Sequence, residues 1–195
     1  IREGWQQIMI PYFCEEVIAT PQGSSADPEE IKRTVTEFVD ILTGKQTIYQ
    51  CIRLAREVER YGGKPKDPAE YKAEYLRRLM EKIKDRREGL ANGTIDPEQL
   101  LVRGSVQLLK ALKEAGITLY LASGTDQPQV REEAHLLKLD RFFDGNIYGA
   151  LDEHLTTCTK ELVIKRLLSE NGLDGSELLS FGDGFVEIEL VAKIN

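Results

Sequence analysis

A change of texture near Asp96 constrains this chain more than any other feature of its sequence. Before it, apolar residues recur at helical spacing in one stretch after another. After it, helical stretches alternate with short apolar runs of strand length. Ser105–Ala115 reads as a helix stopped by Gly116, and Ile117–Ala122 (ITLYLA) as a strand leading into the polar loop Ser123-Gly124-Thr125-Asp126. Gln129–Leu137 reads as a helix and Asn146–Tyr148 as a strand. Glu161–Glu170 reads as a helix halted by Asn171 and Gly172, and Leu178–Phe181 as a strand leading into Gly182-Asp183-Gly184. Nearly all-apolar strands that alternate with helices make a parallel sheet covered on both faces. The expected fold class is α/β, with a Rossmann-like parallel sheet core joined to an all-helical part.

The helical part starts with Gly4–Val17. A turn-rich loop, Thr20–Ala26, follows. Asp27 then has the place of an N-cap, with Pro28 in the first helical position and Glu30 three residues after the cap. Ile31, Val35, Phe38, Val39 and Leu42 share one face of that helix and read as core. Thr43-Gly44-Lys45 ends it. A helix over Gln46–Tyr61 is closed by Gly62 and Gly63. The longest helix covers Ala69–Glu88, where Tyr71, Tyr75, Leu79 and Ile83 recur every four residues as a packing stripe.

Composition removes several functions. The chain has 195 residues and a formal net charge of -7, which suits a globular protein and argues against a broad nucleic-acid surface. No stretch approaches the apolar length of a membrane span, and no signal peptide is visible. Cys14, Cys51 and Cys158 are odd in number and far apart, which fits thiols in a reducing compartment, and a cytoplasmic location is expected. His135 and His154 are the only histidines, too few for a zinc site with these cysteines. Any metal is expected to be hard and oxygen-ligated.

In open α/β sheets, ligands bind beyond the carboxyl ends of the strands. Two polar loops belong there. Ser123 and Gly124 offer a hydroxyl and backbone N–H groups near a helix start, which suits an anion such as phosphate; plain capping of the next helix is the alternative. Asp183, flanked by glycines, has Glu187 four residues on. Two carboxylates there suit Mg²⁺ beside a phosphoryl group, and a tight turn with capping acids is the alternative. Lys160 stands at a helix start, unfavourable for a cation unless an anion or carboxylate meets it, though a solvated lysine fits as well. Lys165 lies further along and reads as solvated. Gly44-Lys45-Gln46-Thr47 lacks the hydroxyl residue directly after the lysine that a phosphate-binding P-loop requires.

Together these pieces resemble the haloacid dehalogenase superfamily, in its phosphatase-like branch with a helical cap. Leu119–Ser123 matches its second motif, an apolar strand ending in Ser or Thr. Lys160 matches the third, and Asp183 with Glu187 the acidic pair of the fourth, although relatives with this glycine-rich form usually carry Asp where Glu187 stands. The spacing from Lys160 to Asp183 resembles that of phosphoserine phosphatases. The resemblance implies a helical cap inserted over residues 10–98 and a catalytic core made of residues 1–9 and 99–195. Within the cap, Lys64, Lys66 and Arg53 are candidates to meet a substrate's polar end.

The family's first motif, DxDxT or a close variant, supplies its nucleophile, and no such string precedes Gly104. IREGW resembles the stretch just after it. The expectation is therefore a nucleophile ahead of Ile1, a further strand after Asn195, and no turnover by the polypeptide as it stands. For the full-length protein the resemblance implies Mg²⁺-dependent hydrolysis of a small phosphorylated metabolite through an aspartyl-phosphate. Ser123, Lys160 and Asp183 would be catalytic, Ser123, Gly124 and Lys160 would hold the substrate, and Asp183 and Glu187 would hold the metal. A sugar phosphomutase and an inactive fragment or binding module are the alternatives. No nucleic-acid or membrane partner is expected.

Overall fold

The computed structural model describes residues 1–150 and 159–182. The chain forms two units, one from Arg2 to Lys84 and one made of Ile1 with the residues from Asp85 onward. The division falls inside a helix.

The first unit is helical: α1 (Gln6–Ile18), α2 (Pro28–Ile41), α3 (Thr47–Arg60) and the greater part of α4 (Pro68–Ala91). α1 packs against α2 and α3. The starts of α2 and α4 are set by aspartates. Asp27 Oδ1 accepts from the Glu29 N–H at 3.0 Å, with Pro28 occupying the position where an N–H would go unused. Asp67 does the same for Ala69 at 2.8 Å, and Glu70 reaches back to the Asp67 N–H at 3.0 Å, a complete capping box. The apolar stripes then meet. Ile31, Val35, Phe38 and Val39 of α2 are buried against Met9, Tyr12, Phe13 and Val17 of α1, with the Phe13 and Phe38 rings stacked at 6.0 Å. Each such side chain contributes about 1.5–3 kcal/mol on burial. Tyr71, Tyr75, Leu79 and Ile83 are all buried, so the four-residue repeat of α4 is a packing stripe, as its spacing indicates.

Two junctions in this unit are built tightly. Thr20, 5% exposed, donates from Oγ1 to the Val17 carbonyl at 2.7 Å and accepts from the Gly23 N–H at 3.1 Å. It closes α1 and fixes the turn at Gly23–Ser25. Gly63 ends α3 by donating to the Val58 carbonyl at 2.9 Å, and a Cβ there would lie 2.6 Å from the Thr20 methyl.

The second unit contains α5 (Ser105–Glu114), β1 (Leu121–Asp126), α6 (Gln127–Leu136), α7 (Asp140–Phe143), β2 (Ile147–Ala150) and α8 (Thr159–Asn171). β1 and β2 pair in parallel, the strand direction that the alternation of helix and strand implies, in a sheet of two strands among the described residues. Both α6 and α8 pack on the two strands. The core gathers Val130, Ala134, Phe142, Phe143 and Ile147, with Val106, Leu109, Leu119, Leu121 and Leu139 against it. None of the described helices is long and apolar enough to cross a membrane.

Two strand expectations need correction. β1 begins at Leu121, four residues later than Ile117, and runs through the segment expected to be a loop. Pairing starts where the partner starts: the Leu121 N–H donates to the Asn146 carbonyl at 2.9 Å, whereas Ile117 is half exposed. Residues 178–181 are not a strand. Leu179 and Phe181 are largely exposed, and no described strand pairs with that segment to take up its backbone groups. Apolar sequence alone does not make a strand without a neighbour.

Candidate functional site

The site is built around the carboxyl end of β1. Leu121 pairs with Ile147, Ala122 with Tyr148, and Asp126 with Ala150. Ser123, Gly124 and Thr125 therefore pass a single residue of β2, Gly149. The polar segment belongs to the strand but bulges from it, which re-aims its side chains relative to a regular ladder. Within the bulge the Ser123 Oγ accepts from the Thr125 N–H at 3.1 Å. This bond holds the hydroxyl oxygen in place and leaves its hydrogen to be donated. Ser123 does not cap α6, which was the alternative for this hydroxyl.

α6 starts one residue after the bulge. Its N-cap, Asp126, makes no side-chain capping bond, and Pro128 sits in the first turn. The positive end of a ten-residue helix thus follows directly on the Ser123 bulge. A hydroxyl donor on the segment that leads into a helix N-terminus suits an anion with several oxygens.

The bulge is fixed from β2. The Gly149 N–H donates to the Gln127 Oε1. A Cβ on Gly149 would lie 2.6 Å from the Thr125 carbonyl oxygen, the Gln127 N and the Gln127 Cα. Neither Gln127 nor Gly149 stands out in the sequence. The one available signal was a glycine next to the apolar run Ile147–Tyr148, which marks a close backbone approach when it falls within a strand.

Lys160 is the second residue of α8, the helix packed on β1 and β2, so it occupies the first-turn position its sequence suggests. Lys165 is an exposed partner of Glu161 at 2.6 Å, in keeping with a solvated role. Asp183, Gly184 and Glu187 lie outside the described residues, and so do Cys158 and His154. Among the described residues, no group of three or more His, Cys, Asp and Glu side chains is arranged to hold a metal.

A model of the haloacid dehalogenase-like hydrolase family matches residues 17–194. The chain belongs to that family. No curated protein and no solved structure matches it. The match to the haloacid dehalogenase-like hydrolases takes in Ser123, Lys160, Asp183 and Glu187 together, and it extends over most of the helical unit as well.

Two of the three basic residues considered for this hydrolase's substrate are engaged inside the helical unit. Arg53 pairs with the buried Glu57 at 2.5 Å and lies over the Phe38 ring. Lys66 pairs with Glu16 at 2.6 Å and lies over Tyr71, and that carboxylate holds the Lys66 ammonium above its ordinary pKa. Lys64 is exposed. Two free thiols are also placed: Cys14 is partly buried, and Cys51 is fully buried with its thiol pushed up to about 12 by burial.

Proposed function

We propose that this haloacid dehalogenase-like hydrolase is a phosphatase that cleaves a small phosphomonoester through an aspartyl-phosphate. In this reading residues 10–98 are the cap domain, and residues 1–9 with 99–195 are the catalytic core. The observation that supports it is the bulged end of β1, where the Ser123 hydroxyl is held by the Thr125 N–H on the segment that leads into α6. Ser123 and the Gly124 N–H bind phosphoryl oxygens there, giving donors to charge that grows as phosphorus is attacked. Lys160 offsets the charge of the phosphate and the attacking carboxylate. The attacking group is a nucleophilic aspartate, and the resemblance assigns none of the carboxylates in residues 1–195 to it.

Asp183 and Glu187 are hard oxygen donors and suit Mg²⁺ by their chemistry. Mg²⁺ bound by them supplies electrostatic stabilisation of phosphoryl oxygens.

The test is phosphate release from a set of phosphorylated metabolites, using protein expressed from its complete reading frame. Turnover that requires Mg²⁺, falls at least about a hundredfold in Ser123→Ala and is lost in Asp183→Asn supports the proposal. Interconversion of sugar phosphates without free phosphate would replace it with a mutase. Absence of any turnover would replace it with a binding role.

A further inference from the structure

We propose that Gln127 and Gly149 are positioning residues that clamp the Ser123 bulge in its anion-binding shape. The proposal rests on the reading of Ser123 as a phosphate-binding hydroxyl. Three residues of β1 pass one residue of β2, Gly149, so no regular ladder runs beside its N–H. The acceptor comes instead from the first side chain of α6, Gln127 Oε1. One hydrogen bond thereby ties β2 to the point where the bulge ends and the helix begins.

Gly149 is required for space. Its φ lies outside the left-handed region, so conformational freedom does not explain it. Any side chain would meet the Thr125 carbonyl oxygen and the Gln127 backbone at 2.6 Å, and backbone cannot rotate away. The atoms that press on Gly149 belong to Thr125, whose N–H fixes the Ser123 hydroxyl, and to Gln127, whose side chain closes the clamp. Three consecutive contacts, Ser123 to Thr125, Thr125 to Gly149 and Gly149 to Gln127, form one chain. Loosening any link frees the hydroxyl that the phosphate reading needs. Anion sites lose affinity steeply when donors drift by fractions of an ångström.

Amide exchange and phosphate titration by NMR on the ¹⁵N-labelled full chain test this. In the ligand-free protein, Gln127→Met should speed exchange of the Thr125 amide at least about tenfold, because its bond to Ser123 loosens. Gln127→Glu keeps an acceptor and should restore protection. Gly149→Ala should act like Gln127→Met; if it does not fold, the two glutamine variants decide. Titration with inorganic phosphate in the presence of Mg²⁺ should shift the Gly124 and Thr125 amides. Gln127→Met should weaken that binding about tenfold while exchange in α2 stays unchanged. Unaltered Thr125 exchange in Gln127→Met overturns the clamp, and so does phosphate affinity that follows global stability alone. Phosphate that shifts no amide of residues 123–126 in the unsubstituted protein overturns the phosphatase reading instead, and Thr125 exchange still decides the clamp.

Discussion

Replacing Thr20 with valine isolates a polar contribution inside the helical unit. The side chain is nearly isosteric, so the methyl packed near Gly63 is kept while the hydroxyl is lost. Two hydrogen bonds disappear, the one to the Val17 carbonyl at 2.7 Å and the one from the Gly23 N–H at 3.1 Å. The carbonyl keeps the Thr20 N–H at 3.1 Å, whereas the buried Gly23 N–H loses its side-chain acceptor. Two net bonds at about 1 kcal/mol each, with part of the desolvation cost of one stranded N–H, give about 3 kcal/mol. Thr20→Ser does the reverse: both bonds stay and one methyl goes, for about 1 kcal/mol. Urea unfolding followed by Trp5 fluorescence measures both, since Trp5 is the only tryptophan and immediately precedes α1. Thr20→Ser costing as much as Thr20→Val would refute the reasoning, because packing and not the hydroxyl would then hold the junction.

Three other outcomes follow from the same geometry. The Glu74 carboxyl is held at about 2, chiefly by hydrogen bonds from Arg77 and Arg78, against an ordinary value of 4.5. A depressed folded-state pKa stabilises the fold above pH 4.5 and loses that effect as pH falls toward 2, so the acid-unfolding curves of wild type and Glu74→Gln should converge across that window. Cys51, fully buried and shifted up to about 12, should resist alkylation at pH 8 until the helical unit unfolds, as residue-resolved mass spectrometry would show. Asp27→Ala removes the cap on the Glu29 N–H and should cost about 1 kcal/mol in the same urea assay, with Asp27→Asn close to wild type.

What could be read from sequence was local. Asp27 with Pro28, the stripe from Ile31 to Val39, and the repeat from Tyr71 to Ile83 each carry their meaning within a few turns of helix, and the structure places them accordingly. The same Asp-Pro signal at Asp67 and Pro68 marks the true start of α4. Its end was less legible. The helix continues through Gly89 to Ala91, and Gly89 is there for packing, because the Ile95 side chain fills the space that its Cβ would take. Strand limits were least legible, since β1 is defined by where β2 lies and not by its own apolar run. The site follows the same division. A hydroxyl after an apolar run pointed to Ser123, but the support from Gln127 and Gly149 depends on residues 22 apart meeting in space.

The offset between the two strands has an arithmetic consequence. From Ala122 to Asp126 is four steps, while the facing pair Tyr148 to Ala150 is two, so the excess is an even number. Successive strand residues alternate between the two sides of a sheet, and an even excess restores the alternation beyond it. Shortening this segment by two residues would therefore leave a regular ladder from Ala122 to Asp126, while shortening it by one would leave the single-residue bulge that strands commonly absorb.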